Sequence, residues 1–376
     1  MVERGVPVKI SGIQLFMIIF MYSIGNSLLM YVHPVIHAVG QDAWLSCLVA
    51  MIPALAIAVM AIKTGLYNPD LSFLQNCRKL LGKWAGTAVA FVYAAQWTFM
   101  LAHIAKFTSD FLIILLLEQT PNWVFIITLL GLAVYAVIAG GIVSLARLSE
   151  AFGIVSLIGL VLLILMLVPL ARPGNLLPVY ADHGWLRITK AAIFPLAFKA
   201  EVVWLIAIAP FVDRRDKAPK TVFWAKLFAF VIGTINLLLV ILVLSPEVAS
   251  HQLYPSFDMV SLISIMNFIQ NLETVLVLAW LLSVFIRLSL YLFLASHTAS
   301  ELFGIRDFKR AVWIVAGIAV LLAFISLQLK VDILPITGRA WLLYVFPWTL
   351  VALPTVLFAA GLIQRKRAKN GQESAA

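Results

Sequence analysis

Residues 10–31 read ISGIQLFMIIFMYSIGNSLLMY. The run carries no charge and is long enough for a helix to cross a bilayer, which takes about 20 residues. Near its middle, Ser23-Ile24-Gly25-Asn26-Ser27 joins a glycine to short polar side chains, a combination that weakens helix propensity. Nine more apolar runs follow, at residues 42–63, 84–117, 122–142, 145–170, 188–212, 221–244, 272–297, 311–329 and 341–364. The run at 188–212 carries Phe194-Pro195-Leu196-Ala197-Phe198-Lys199. Proline removes a backbone donor and frees the carbonyl four residues back, and a freed group inside a bilayer must line a wet or substrate-filled cavity. The reading is an all-α polytopic membrane protein of ten transmembrane helices in a five-plus-five inverted repeat. Spans 1 and 6, the first of each half, are expected to unwind around Ser23–Ser27 and Ala192–Phe198. Either interruption alone also fits an ordinary kink; finding both in matched positions points to a binding site.

The basic residues set the topology. Most of the 27 lie on alternate connections. Arg4 and Lys9 precede span 1, and Lys63, Arg78, Lys79 and Lys83 lie between spans 2 and 3. Arg147 follows span 4. Arg214, Arg215, Lys217, Lys220 and Lys226 follow span 6. Arg306, Lys309 and Arg310 follow span 8, and Arg365, Lys366, Arg367 and Lys369 follow span 10. The other side receives Arg172, Arg187, Lys190, Lys330 and Arg339. The positive-inside rule then places both termini in the cytoplasm. Lys106, Lys199 and Arg287 remain inside spans, where charge is expensive and function concentrates.

With 63% hydrophobic and 12% charged residues, the chain is far from the soluble average. A net charge of +10 raises the question of nucleic acid. Its spread over short connections fits orientation against anionic lipid instead. Span 1 does not read as a cleaved signal peptide, because its apolar run is too long. The expected organisation is one integral membrane domain over 1–376, with repeats at about 10–170 and 188–364 and a short disordered tail at 368–376. Asn68-Pro69-Asp70 reads as the start of an amphipathic helix on the inner surface. Residues 258–269 read as an external helix with Asp258 as its cap. Cys47 and Cys77 are expected not to meet.

Ile10-Ser11-Gly12-Ile13-Gln14, the central Gly25, Gln41-Asp42-Ala43-Trp44-Leu45-Ser46, Trp280 and Arg287-Leu288-Ser289 form a pattern that resembles the B subunit of nutrient germinant receptors of bacterial endospores. That family lies within the amino acid–polyamine–organocation transporter superfamily, and the resemblance covers nearly the whole chain. It implies a leucine-transporter-like fold, a small germinant, often an amino acid, bound near the midplane, and the inner spore membrane. It also implies A-type and C-type partner subunits. Family members often carry a Phe-Gly-Glu-like segment in span 6 and a lysine in span 8, where this chain has Phe198-Lys199-Ala200-Glu201 and Arg287.

The candidate ligand residues follow from the breaks and the resemblance. Span 1 supplies Ser23, Ile24, Gly25 and Asn26. Span 3 supplies Trp97 and Leu101, at the depth where a substrate side chain rests in this fold. Span 6 supplies Phe194 and Phe198, and span 8 supplies Ser283, Arg287 and Tyr291. Free backbone N–H groups suit a carboxylate and free carbonyls suit an ammonium, so a zwitterionic amino acid satisfies both. The bulky apolar lining around Gly25 suggests a small or apolar side chain. Arg287 stays protonated and needs a partner. Together with Lys199 and Glu201 it reads either as a surrogate for the cation that sodium-coupled relatives of this fold bind beside span 1, or as part of a buried ion pair. Gln96, Met100, His103, Lys106 and Asp110 share one helical face. They can also be a polar stripe packed against neighbouring helices.

His33 and His37 have metal-ligand spacing, but Pro34 separates them and no third ligand is evident. There is no phosphate-binding glycine loop, nucleophile elbow or metalloprotease pattern, so no enzyme, cofactor or metal is expected. Three functions fit: a receptor subunit that binds a germinant and signals to its partners, a proton-coupled amino acid permease, and a membrane scaffold that binds nothing.

Overall fold

The structure is a computed structural model that describes residues 9–180, 182, 184–263, 272–328 and 336–373. Nine helical stretches among them are long and apolar enough to cross a membrane. One of these, Asn122–Leu170, has 49 residues. At 1.5 Å per residue it is about 74 Å long, more than twice a hydrocarbon core of about 30 Å. It turns at Gly140–Gly141, where Gly141 has φ 54° and ψ −135°, a left-handed region open to glycine at little cost. That stretch therefore crosses twice, and the spans number ten among the described residues.

In chain order, α1 (Gly12–Leu29) and the short α2 (Val32–Val39) form the first span and its extension. They are followed by α3 (Ala43–Gly65), α4 (Phe73–Leu81), α5 (Lys83–Leu115) and the double span α6 (Asn122–Leu167). The sixth span comes in three pieces, α7 (Gly184–Ala191), α8 (Ile193–Lys199) and α9 (Trp204–Ile208). Next are α10 (Ala218–Leu244), α11 (Pro246–His251), α12 (Pro255–Ser261), α13 (Glu273–Leu302) and α14 (Phe308–Gln328). A π-helical stretch, Ile336–Ala352, leads into α15 (Leu353–Glu373).

Local sequence explains several starts. Ser11 and Gln14 form a capping box at α1, and Ser72 and Gln75 form another at α4. The cap of α4 is thus Ser72, not Asn68-Pro69-Asp70. Asp258 does not cap its helix either: α12 begins at Pro255, and Asp258 lies in its first turn. The helix α15 runs on to Glu373, through part of the segment expected to be disordered. Arg4, Lys330 and residues 264–269 lie outside the described residues.

Two sets of hydrogen bonds tie the first half to the second half and to the connection before it. Ile10 N donates to Phe211 O at 2.7 Å, and Asp213 N donates to Ile10 O at 3.0 Å, clamping the start of span 1 to the end of span 6. At the other end, Gln41 Nε2 donates to Pro178 O at 3.0 Å and to Asp182 Oδ2 at 2.7 Å. Tyr180 N donates to Asp42 Oδ1 at 2.8 Å. The Gln41-Asp42 segment therefore anchors the connection before span 6.

Both spans are interrupted, but span 1 is not unwound at Ser23–Ser27 as expected, and span 6 breaks at Ala192, inside the expected segment, and again beyond it. α1 is continuous through Ser23–Ser27 and gives way at Met30–Tyr31. Ser27 Oγ donates back to Ser23 O at 2.9 Å, so that turn stays closed. In span 6, α7 ends at Ala191, four residues before Pro195, where the proline ring would clash with the carbonyl. The rest of Ala192–Phe198 is helical, and the longer unwound segment is Ala200–Val203.

Candidate functional site

Where span 6 unwinds after α8, a side chain of span 1 meets one of the freed backbone groups. In a continuous helix Val202 N–H would donate to Phe198 O. Asn26 Nδ2, from α1, donates to that oxygen instead at 3.1 Å, and Val202 N turns to Ala200 O at 2.7 Å. Glu201 is left in the unwound segment with its carboxylate free to face other helices.

Each oxygen of that carboxylate accepts a hydrogen bond from α13. Arg287 Nη2, from α13, donates to Glu201 Oε2 at 3.2 Å, and Tyr291 OH donates to Oε1 at 2.6 Å. Tyr22 OH bonds Tyr291 OH at 2.5 Å. Arg287 Nη1 donates to Asn26 Oδ1 at 2.6 Å, and its guanidinium lies 5.1 Å from the Tyr22 ring centroid. The two side chains of the ion pair are only 4% and 7% exposed. A charge so placed is tolerated only when paired and hydrogen-bonded. Asn26 is the hinge of the arrangement, since one amide holds the broken helix and the guanidinium together.

A second polar group lies on another side of α1. Lys199 Nζ donates to Ser27 Oγ at 2.7 Å and sits 4.3 Å from the Phe230 ring centroid and 5.0 Å from that of Tyr31. Lys226 Nζ donates to Ser23 Oγ at 3.1 Å. Both lysines are buried, and neither meets a carboxylate among the described residues. Lys226 was counted above with the cytoplasmic loop after span 6. It lies inside α10 instead, with its ammonium against α1. The missed signal was its position: it falls within the apolar run 221–244, so its charge should have been counted as intramembrane.

Beside the ion pair lies a cavity of about 30 Å³, lined by Asn26, Met30, Phe198, Glu201 and Arg287 and, from α5, Met100, His103, Ile104 and Phe107. It holds about two waters and is too small for an amino acid. On one side of it Phe107 and Phe111 pack with Trp280 and Tyr254, at centroid distances of 4.5–6.3 Å.

The structure brings Asn26, Phe198, Glu201 and Arg287 to this cavity, with Tyr291 directly behind Glu201. Lys199, grouped with Glu201 and Arg287 from sequence, points instead to Ser27. Ser23 serves Lys226, and Ile24 is packed in the core. Gly25 is a point of close approach: a Cβ there would lie 2.2 Å from Ser283 Oγ. Ser283 donates to Trp280 O at 2.8 Å. Phe194 is half-buried against the core. Trp97 stacks with Phe73 and Tyr93 at 5.3 and 5.9 Å, under α4 and away from the cavity lining, and Leu101 is buried beside it. The polar stripe of the third span contributes Met100 and His103 in their place. Further along it, Lys106 Nζ bonds Asp110 at 2.6 Å, and Asn122 Nδ2 donates to Asp110 at 2.9 Å.

Comparison with known proteins gives this geometry a context. The family described as spore germination protein matches residues 9–331. Spore germination protein YndE of Bacillus subtilis (strain 168) is 25% identical over 343 residues, covering 89% of this chain and 90% of the relative. Spore germination protein KB of the same organism is 27% identical over 305 residues, covering 78% and 79%. Spore germination protein GerQB of Bacillus cereus is 23% identical over 348 residues, covering 91% and 95%. Among solved structures, MhsT in complex with L-phenylalanine has a TM-score of 0.67 at 15% identity, covering 96% of this chain and 89% of that one. MHP1, a nucleobase-cation-symport-1 family transporter in a closed conformation with bromovinylhydantoin bound, has a TM-score of 0.64 at 14% identity, covering 96% and 93%. The fold is therefore that of leucine-transporter-like membrane proteins, and these relatives are permease-like rather than enzymes.

Proposed function

We propose, for a chain that belongs to the spore germination protein family, that it is the B-type subunit of a nutrient germinant receptor and binds a small amino acid where span 6 unwinds. The observation that carries this reading is the Arg287–Glu201 pair, buried at the unwound segment and bordering a cavity. A zwitterion can exchange with such a pair. Its carboxylate takes the guanidinium, and its ammonium takes the lone pair of Glu201 Oε1 that Tyr291 leaves over.

In this reading the cavity of about 30 Å³ is the closed form of the site, which must widen to admit the ligand. Met30 and Met100, with unbranched and adaptable side chains, are the walls that yield first. A ligand shifts the protein toward an open or reclosed state only through contacts that differ between the states. The Asn26–Phe198 bond is such a contact, because it couples the ligand-facing residues to the break in the helix. The signal then passes to A-type and C-type subunits in the inner spore membrane, with both termini cytoplasmic and the two halves at about 10–170 and 188–364. The germinant, the partner subunits and lipid are the ligands of this reading, and no metal, cofactor or nucleic acid enters it.

A permease is the second reading, favoured by the likeness to solved transporters. Two measurements separate them. Spores lacking only this subunit lose the response to one nutrient if it is a receptor subunit. Proteoliposomes containing the chain alone accumulate labelled amino acid if it is a permease. A scaffold that binds nothing would instead leave the response unchanged by substitutions in the pocket so long as the protein accumulates.

A further inference from the structure

We infer that His103 selects the side chain of the ligand, and that the site favours amino acids with a hydrogen-bonding side chain over apolar ones of the same shape. This rests on the amino-acid reading above and departs from the expectation of a small or apolar ligand side chain.

The observation is two unpartnered polar atoms, each buried within a side chain that lines one cavity. Among the described residues, Arg287 Nε and His103 Nδ1 are buried without a hydrogen-bond partner, and both side chains line the space beside Glu201. Arg287 Nε is a donor on the ion pair and suits the ligand's carboxylate. His103 stands apart from that pair, on α5, so the ligand's other end meets it. Its ring stacks on Phe99 at 6.5 Å and 4°, and it borders Phe107 at 6.5 Å. The two phenylalanines hold the imidazole in place without offering it a polar partner.

A ligand hydroxyl or amide can satisfy Nδ1 in either tautomer, since each group both donates and accepts. An apolar side chain of equal volume would seal the atom off from water and leave it unpaired. A site built around a hydrogen bond rejects the analogue lacking it far more strongly than a hydrophobic site rejects a missing methylene. The rest of the wall, Met30, Met100, Ile104 and Phe107, is apolar, so one hydrogen-bonding group is matched and a second is not.

The test uses isosteric pairs on the purified full-length protein in detergent: threonine against valine, and asparagine against leucine. Affinity for each is read from the ligand-dependent shift in thermal unfolding. Wild type is expected to bind threonine and asparagine at least about tenfold more tightly than their partners. In His103→Leu both ratios fall to one or invert, and in His103→Gln they are kept in part. Should His103→Leu fail to accumulate, His103→Phe, which continues the stack of Phe99 and Phe107, takes its place. Valine and leucine binding as tightly as threonine and asparagine in wild type, or ratios unchanged without the imidazole, would overturn the assignment and leave the amino-acid reading standing. If none of the four binds, it is the amino-acid reading that falls, and the role of His103 with it.

Discussion

Asn26 in the first span donates to the main-chain oxygen of Phe198 in the sixth at 3.1 Å, the carbonyl that Val202 would use in a continuous helix. The same amide accepts from Arg287 Nη1, so one side chain links the break in span 6 to the ion pair. Replacing Asn26 by Ala should free that carbonyl and remove the acceptor of Arg287 Nη1. The expected cost is about 1–3 kcal/mol, with loss of the ligand response. Thermal unfolding beside a germination assay checks both. An unchanged melting temperature with a normal response would show that the break does not depend on Asn26.

Arg287→Ala should cost about 3–5 kcal/mol, because Glu201 would stay buried without its cation. The double change Arg287→Met with Glu201→Leu should cost less than the sum of its parts. A double-mutant cycle on unfolding midpoints measures the coupling, and additivity would mean that the pair contributes no interaction of its own. Arg287→Lys keeps the charge but loses the planar fork; a stable protein with a weakened response is expected. If the guanidinium stands in for a bound cation, the response will be the same in sodium-free buffer.

Lys226 should behave in the opposite way. Its one hydrogen-bond partner is a serine hydroxyl, and it meets no carboxylate among the described residues. Lys226→Met removes a costly buried amine and strands no charge, so the protein should accumulate at wild-type levels with an equal or higher melting temperature. A marked loss of abundance would mean that Lys226 answers a negative charge that the closed state does not present.

Gly25→Ala should destabilise the contact between α1 and α13, since its Cβ would fall 2.2 Å from Ser283 Oγ. Ser283→Ala removes that oxygen and leaves Ser283 Cβ at an ordinary 3.4 Å. The double variant should therefore recover the stability that Gly25→Ala alone loses. If it recovers nothing, Gly25 is needed for some reason other than its approach to Ser283.

The spans and the ion pair were legible in the sequence, because intramembrane charge and apolar length are strong signals. Arg287, Glu201 and Asn26 each stood out as polar groups in runs that should have none. The position of the first break was not legible. Gly25 weakens a helix in isolation, but here it is spent on a close approach to Ser283, and the helix continues to Leu29. The depth of the third span was misjudged by about one turn: Trp97 packs under α4 against Phe73, and Met100 and His103 take the place expected for it. Hydropathy fixes which residues lie in the membrane but not their depth, which depends on how α4 packs.

The most direct test of the site is Glu201→Gln. Glutamine keeps the shape, but its single amide oxygen can accept from Tyr291 or from Arg287 and not from both, and it cannot hold an ammonium by charge. Spores carrying this variant, with the amount of the protein measured by immunoblot, are exposed to the amino acid that triggers wild-type germination. The account predicts a lower amount of protein, because Arg287 is left buried without its anion, and a dose response, compared at matched protein amount, shifted at least about tenfold, as loss of a charge-assisted hydrogen bond implies. A normal dose response at normal abundance would contradict it and place the germinant elsewhere.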